Sequence, residues 1–141
     1  MDILIKGGLI VDGTGEKPFY GDIAIDRDMI TEIGENLDAS KARKVVDAKG
    51  LTVTPGFIDG HTHFDLEVAG TVTADDFETG TRAAILGGTT LVIDFASQDK
   101  GGHTLKEGLE KWHKKADGKC SCDYSFHMSI VEWNEETKKE I

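Results

Sequence analysis

His61 and His63, one residue apart, are the side chains of this 141-residue chain best suited to chemistry. They close the run Pro55-Gly56-Phe57-Ile58-Asp59-Gly60-His61-Thr62-His63, which reads as a short buried strand. Side chains alternate faces along a strand, so these two share a face, two rises of about 3.3 Å apart. Two imidazoles at that spacing can converge on one metal ion, and neutral imidazole suits zinc and its transition-metal neighbours. By itself a His-x-His pair fits either a metal site or two hydrogen-bonded histidines. Position favours the metal: the pair ends an apolar strand, where β/α folds put their chemistry. Asp59 lies two residues earlier on the same face, placed either to fix an imidazole from outside the metal or to make a structural hydrogen bond.

A strand–helix–strand pattern must hold this pair. The first strand is Phe57 to His63, followed by a glycine-containing loop from Phe64 to Val72. Thr73-Ala74-Asp75-Asp76 resembles a capping box and opens a helix to about Leu86, with Phe77, Ala84 and Ile85 on its buried side. Gly87-Gly88 stops it. Thr89 to Phe95 is a near-continuously apolar strand, as expected when both faces are covered. Thr104-Leu105-Lys106-Glu107 is a second capping box, and Leu105, Leu109, Trp112 and Ala116 form the stripe of a second helix. Asp123 to Val131 alternates as a third strand, and Asn134 opens another helical segment. Strands joined by crossover helices lie parallel.

Residues 1–54 read instead as all-β. Ile3-Leu4-Ile5 and Leu9-Ile10-Val11 flank a Gly7-Gly8 turn, and Gly21–Asp26 pairs with Met29–Ile33 through Arg27-Asp28. A polar loop runs from Asn36 to Arg43, and two strands flank Ala48-Lys49-Gly50. So many strands with few large side chains bury little surface, so this segment is expected to draw on strands from elsewhere. The expected domains are 1–54 and 55–141.

Composition narrows the partners. Hydrophobic residues make up 38% and charged residues 30%, as in a soluble globular protein. A net charge of -10 disfavours nucleic acid and anionic membranes. No apolar run approaches the ~18–20 residues that span a bilayer, and the N-terminus has no signal-peptide pattern, so a cytoplasmic protein is expected. Neither a dinucleotide fingerprint nor a phosphate loop is present. Cys120 and Cys122 read as reduced thiols, with a C-x-C metal pair as the alternative. Asp94 reads as structural, His127 as packed and hydrogen-bonded, His103 and His113 as solvated, and Trp112 and Trp133 as core or interface.

Pro55 to His63 resembles the signature of the amidohydrolase superfamily. The stretch Gly70-Thr71-Val72-Thr73-Ala74-Asp75-Asp76-Phe77-Glu78-Thr79-Gly80-Thr81-Arg82-Ala83-Ala84 narrows the resemblance to its dihydropyrimidinase/D-hydantoinase branch. Gly87-Gly88-Thr89-Thr90, Ile93-Asp94-Phe95, Leu4-Ile5-Lys6-Gly7-Gly8 and Asp47-Ala48-Lys49-Gly50 agree. The resemblance implies an α/β fold with a β-sandwich part. N-terminal strands of a composite sandwich precede the first βαβαβ of a (β/α)8 TIM-type barrel, here truncated. It implies a binuclear site, usually zinc with other divalent metals possible, in which His61 and His63 bind the first metal. A carboxylated lysine bridges the metals, two later histidines bind the second, and a late aspartate completes the first. A bridging hydroxide then attacks the carbonyl of a cyclic amide, and the aspartate carries the proton to the leaving nitrogen. The implied substrates are cyclic ureides, dihydropyrimidines or hydantoins. The implied assembly is a homo-oligomer, a tetramer in intact family members. Phe64, Asp65 and Leu66 follow the pair in a loop that lines the family's substrate pocket. Glu67 adds a charge there and leaves the preferred ring substituent open.

The bridging lysine and later ligands are expected beyond Ile141, and His103, His113 and His127 match no family ligand position. A barrel needs about 250 residues, so residues 55–141 are expected to be the N-terminal part of one and inactive alone. An open parallel sheet edge is expected to follow. Rival readings are a non-catalytic scaffold relative, which the His-x-His pair argues against, and another cyclic amidase such as an allantoinase or dihydroorotase.

Overall fold

In the computed structural model, which describes residues 1–141, the chain divides into two units, Met1–Pro55 and Gly56–Ile141. The first is built on β1 (Ile3–Ile10), which pairs antiparallel with β2 (Phe19–Asp26). The hairpin turn at Arg27-Asp28 leads on to β3 (Met29–Gly34). On its other side β1 runs parallel to β4 (Lys44–Asp47) and then to β5 (Thr52–Val53). Leu4, Ile10, Ile23, Ala24 and Ala48 are the buried apolar side chains of this unit. The Asn36–Arg43 loop contains one 3₁₀ turn, Ala39–Lys41, capped by Asp38.

Gly7-Gly8 is not the turn that the sequence suggests. The strand runs through it, with a register shift against β2 between Ile5 and Gly8 and a φ of +73° at Gly7. A Cβ on Gly8 would lie 2.5 Å from Val53 Cγ2. The pair therefore serves a bulge and a close strand approach, two other standard uses of glycine in sheets.

Asp22 ties this bulge to the rest of the unit. Its carboxylate is 4% exposed and accepts from the N–H groups of Gly7 (2.8 Å) and Leu37 (2.9 Å) and from Lys6 Nζ (3.1 Å). Burial pushes the carboxyl up, but the Gly7 N–H, the Lys6 ammonium and the Leu37 N–H outweigh it and hold it below its ordinary value. A depressed native pKa stabilises the fold above the unfolded-state value, and that contribution is lost as pH falls through the native one. Asp22→Asn is expected to cost about 1–3 kcal/mol at neutral pH. It should also flatten the loss of stability below about pH 4. Urea unfolding across pH 3–7 measures both; a mutant whose acid limb matches the parent's would refute the assignment.

The second unit begins with β6 (Phe57–Thr62) and a small hairpin of β7 (Glu67–Val68) and β8 (Thr71–Val72). Then come α1 (Phe77–Leu86), β9 (Thr89–Ser97), α2 (Leu105–Ala116), β10 (Asp123–Ser129) and α3 (Glu135–Lys139). The sheet is parallel with β9 central, in the order β10-β9-β6. Both α1 and α2 pack on β9. The core gathers Phe77, Ala96, Trp112 and Ala116, with Phe64, Leu66, Tyr124 and Phe126 against it. No helix is long and apolar enough to cross a membrane.

Several expectations change here. β6 is an edge strand paired only with β9, so Phe57 and Ile58 are 59% and 64% exposed rather than buried. In β9 only one face is buried, through Val92, Asp94 and Ala96, while Ile93 and Phe95 stand half-exposed on the other. The cap of α1 is Asp76, not Thr73: its carboxylate accepts from the Thr79 N–H at 2.8 Å. The Thr73 hydroxyl accepts instead from the Leu66 N–H at 2.9 Å, so it is spent on the preceding loop. The buried arc of α1 is Phe77, Gly80 and Thr81. Ile85 falls about 80° from Phe77, at the edge of that arc, and is exposed. The second capping box at Thr104 forms as expected.

Candidate metal centre

At the end of β6 the chain leaves the sheet with two imidazoles on one face. The Nε2 atoms of His61 and His63 lie 3.1 Å apart, with ring planes at 86°. Two nitrogens on one tetrahedral zinc sit about 3.3 Å apart, given Zn–N distances of about 2.0–2.1 Å. The pair therefore presents one edge of a coordination tetrahedron. The same separation suits a hydrogen bond between one protonated and one bare Nε2. Both rings are exposed and open to a ligand. Beneath them lies Phe95 of β9, its ring centroid 4.5 Å from His61 and 5.2 Å from His63.

His127 belongs to this face as well. It stands opposite Phe95 in the β9–β10 register, 4.8 Å from that ring, and its Nε2 donates to the Gly60 carbonyl at 3.1 Å. It is hydrogen-bonded as expected, but exposed beside the histidine pair rather than packed away. The alternation of β10 carried the signal: Tyr124 and Phe126 turn to the core, so His127 must turn to the opposite face.

Asp59 does not fix an imidazole. Its carboxylate accepts from the backbone N–H of His61 at 3.1 Å, a local bond over two residues that short acidic side chains favour. Phe64 and Leu66 are half-buried. Both pack against the core, with the Phe64 ring 5.5 Å from that of Phe77. Asp65 adopts φ +47° and is held by Lys115, whose ammonium reaches its backbone carbonyl and lies 3.6 Å from its carboxylate. After His63, exposure resumes at Glu67 and Val68 and continues to Val72.

A profile of the amidohydrolase family matches residues 52–125, a span containing β6, both histidines and β9. The chain belongs to the amidohydrolase family. It is 44% identical to the D-hydantoinase of Streptomyces coelicolor, over 98% of this chain and 30% of that protein. It is 48% identical to the D-hydantoinase of Geobacillus stearothermophilus, over 100% of this chain and 29% of that one. With the dihydropyrimidinase of Dictyostelium discoideum it shares 43% identity over 99% of this chain and 27% of that protein. Among solved structures it superposes on a D-hydantoinase with a TM-score of 0.91 at 46% identity, covering 99% of this chain and 30% of the other. The dihydropyrimidinase of Brevibacillus agri gives a TM-score of 0.92 at 40% identity, with 99% and 30% covered. The chain thus spans about 30% of the length of the relatives it matches. Its fold is the one expected, the N-terminal part of a hydantoinase fold.

Within this amidohydrolase chain the other candidates fall away from the pair. Nowhere do three or more histidine, cysteine, aspartate or glutamate side chains gather closely enough to hold an ion. Cys120 and Cys122 are free, half-buried thiols. Burial, with Cys122 and Asp117 adding to it, pushes the Cys120 thiol up to about 11. Metal binding needs the thiolate, so these cysteines are poor donors at neutral pH. His103 bonds Glu107 at 3.0 Å and His113 bonds Asp117 at 2.9 Å. Instead of being fully solvated, His113 is half-buried against Phe126. Trp112 is core, and Trp133 is 62% exposed.

Proposed function

We propose that this chain is the N-terminal part of a metal-dependent cyclic amidase that hydrolyses the ring amide of dihydropyrimidines or hydantoins. The observation that carries the reading is the convergence of the His61 and His63 Nε2 atoms to 3.1 Å on an open strand tip. The names of the relatives support the substrate class. His61 and His63 would hold the first metal, zinc or another divalent ion. Such an ion polarises a carbonyl and lowers the pKa of a water. Catalytic zinc usually takes three protein ligands, so two histidines hold it poorly and the remaining donors come from residues outside 1–141.

The chain's own residues prepare the place. Phe95 floors the two imidazoles and shields their inner side from water. His127 fixes the Gly60 carbonyl, and Asp59 holds the His61 backbone. Glu67 and Val68, not Phe64 and Leu66, meet the ring substituent of the substrate. Free Cys120 and Cys122 support a reducing, cytoplasmic setting. Exposed Met29, Ile30 and Ile33 support a homo-oligomer.

A substrate panel on the intact protein tests this reading. Hydantoin and dihydrouracil are expected to be opened, allantoin and dihydroorotate to be turned over far more slowly, and chelation to stop all turnover until zinc returns. Preference for allantoin or dihydroorotate would reassign the substrate. Inertness toward every ring after zinc loading would remove the enzyme reading.

A further inference from the structure

We propose that Asp94 is the positioning residue for His63, its buried carboxylate pinning the residues on either side of that imidazole to the core. This rests on the reading of His61 and His63 as metal donors. β6 ends at Thr62, whose partner Asp94 is the last in the β6–β9 register. His63 and Phe64 therefore lie past the backbone ladder. The Asp94 side chain takes over where the ladder stops. Its Oδ2 accepts from Thr62 Oγ1 at 2.9 Å and from the Phe64 N–H at 2.8 Å. Its Oδ1 accepts from Trp112 Nε1 at 3.0 Å and from the Phe95 N–H at 2.8 Å.

One oxygen thus clamps the two neighbours of His63, and the other anchors the clamp to α2 and to the strand carrying the Phe95 floor. Asp94 is 1% exposed and forms no ion pair, so four hydrogen bonds alone satisfy its charge. A buried charge is costly unless it is satisfied in this way. Contact between a helix and a sheet requires no such group, and apolar residues would serve it. What the carboxylate adds is two acceptor sites on one atom, aimed at donors that bracket a single residue. Between those two points only His63 is free to turn, and its ring is left facing His61.

Two readouts on the intact protein test the assignment. In the metal-free protein, nitrogen-15 spectra of labelled histidine should show a fixed tautomer for the His61–His63 pair. Asp94→Asn should average it, because an amide supplies one acceptor oxygen where four donors need two. In cobalt(II) titrations followed by visible absorption, Asp94→Asn should bind about 10–100-fold more weakly, the usual cost of losing an outer partner of a ligand. Thr62→Val should weaken binding by less and Thr62→Ser should restore it, which keeps the test open if Asp94→Asn fails to fold. Leu105→Ala, at a buried position of α2 away from the clamp, should lower stability and leave cobalt affinity within about twofold of the parent, well short of an outer-partner loss. Unchanged histidine spectra in both Asp94→Asn and Thr62→Val would overturn the proposal, as would an equal affinity loss in Leu105→Ala. A parent protein that binds no cobalt would sink the metal reading instead, and the histidine spectra would then decide the role of Asp94 alone.

Discussion

His61→Ala in the intact protein is expected to abolish opening of hydantoin and dihydrouracil, with kcat/KM falling by roughly a thousandfold or more. The argument is one of donors. Losing an outer partner of a ligand typically costs about 10–100-fold, and losing the ligand itself takes away half of what this chain offers the ion. His63→Ala should match it, and the double mutant should be little worse, since the two rings act as one unit. Folding should survive. The His61 side chain is exposed, its contacts being the His63 and Phe95 rings, so its removal should change stability by no more than about 0.5 kcal/mol, as for ordinary surface sites. Steady-state kinetics with circular dichroism as the folding control measures both. Full turnover in a folded His61→Ala protein would leave the pair as two hydrogen-bonded histidines and nothing more.

The pair was legible because strand alternation is local: two residues apart means one face, whatever the rest of the chain does. The order of elements after Pro55 was legible for a similar reason, since capping boxes and glycine stops act within one turn. The misreadings share a different cause. Thr73 and Asp76 are both good helix caps, and only the bond from Leu66 to the Thr73 hydroxyl decides between them. Gly7-Gly8 looks like a turn until the close approach of Val53 requires a bulge there. His127 reaches its partner across 67 residues, and no local pattern encodes such a meeting. The apolar content of β6 implied burial, but burial also needs neighbours, and β6 has one strand beside it. The family resemblance puts Phe64 in a pocket-lining loop, whereas its ring here follows the apolar gap that α1 offers.

That gap is the basis of the largest stability effect to be expected. Phe77 is 0% exposed at the first turn of α1, and its ring meets Phe64 at 5.5 Å and Phe126 at 6.1 Å, both edge-on. One turn further on, a Cβ at Gly80 would lie 2.2 Å from the Phe64 ring, so the glycine makes the slot that Phe64 fills. Phe77→Ala should therefore cost about 3–5 kcal/mol, the transfer loss plus a cavity that rigid neighbours cannot close. Folded domains hold only about 5–15 kcal/mol in total, so chemical denaturation should show a large fall in midpoint. Gly80→Ala attacks the same contact from the other side. It adds bulk and should cost about 1–3 kcal/mol by overpacking. The two should differ at the strand tip. Gly80→Ala pushes the Phe64 ring outward and pulls on the N–H that Asp94 holds, while Phe77→Ala leaves that ring room to settle inward. Amide exchange at Phe64 should accordingly quicken more in Gly80→Ala than its smaller stability loss would suggest. A Phe77→Ala protein that loses less than about 1 kcal/mol would mean that this aromatic cluster does not carry the core, and the tether between α1 and the histidine strand would have to lie elsewhere.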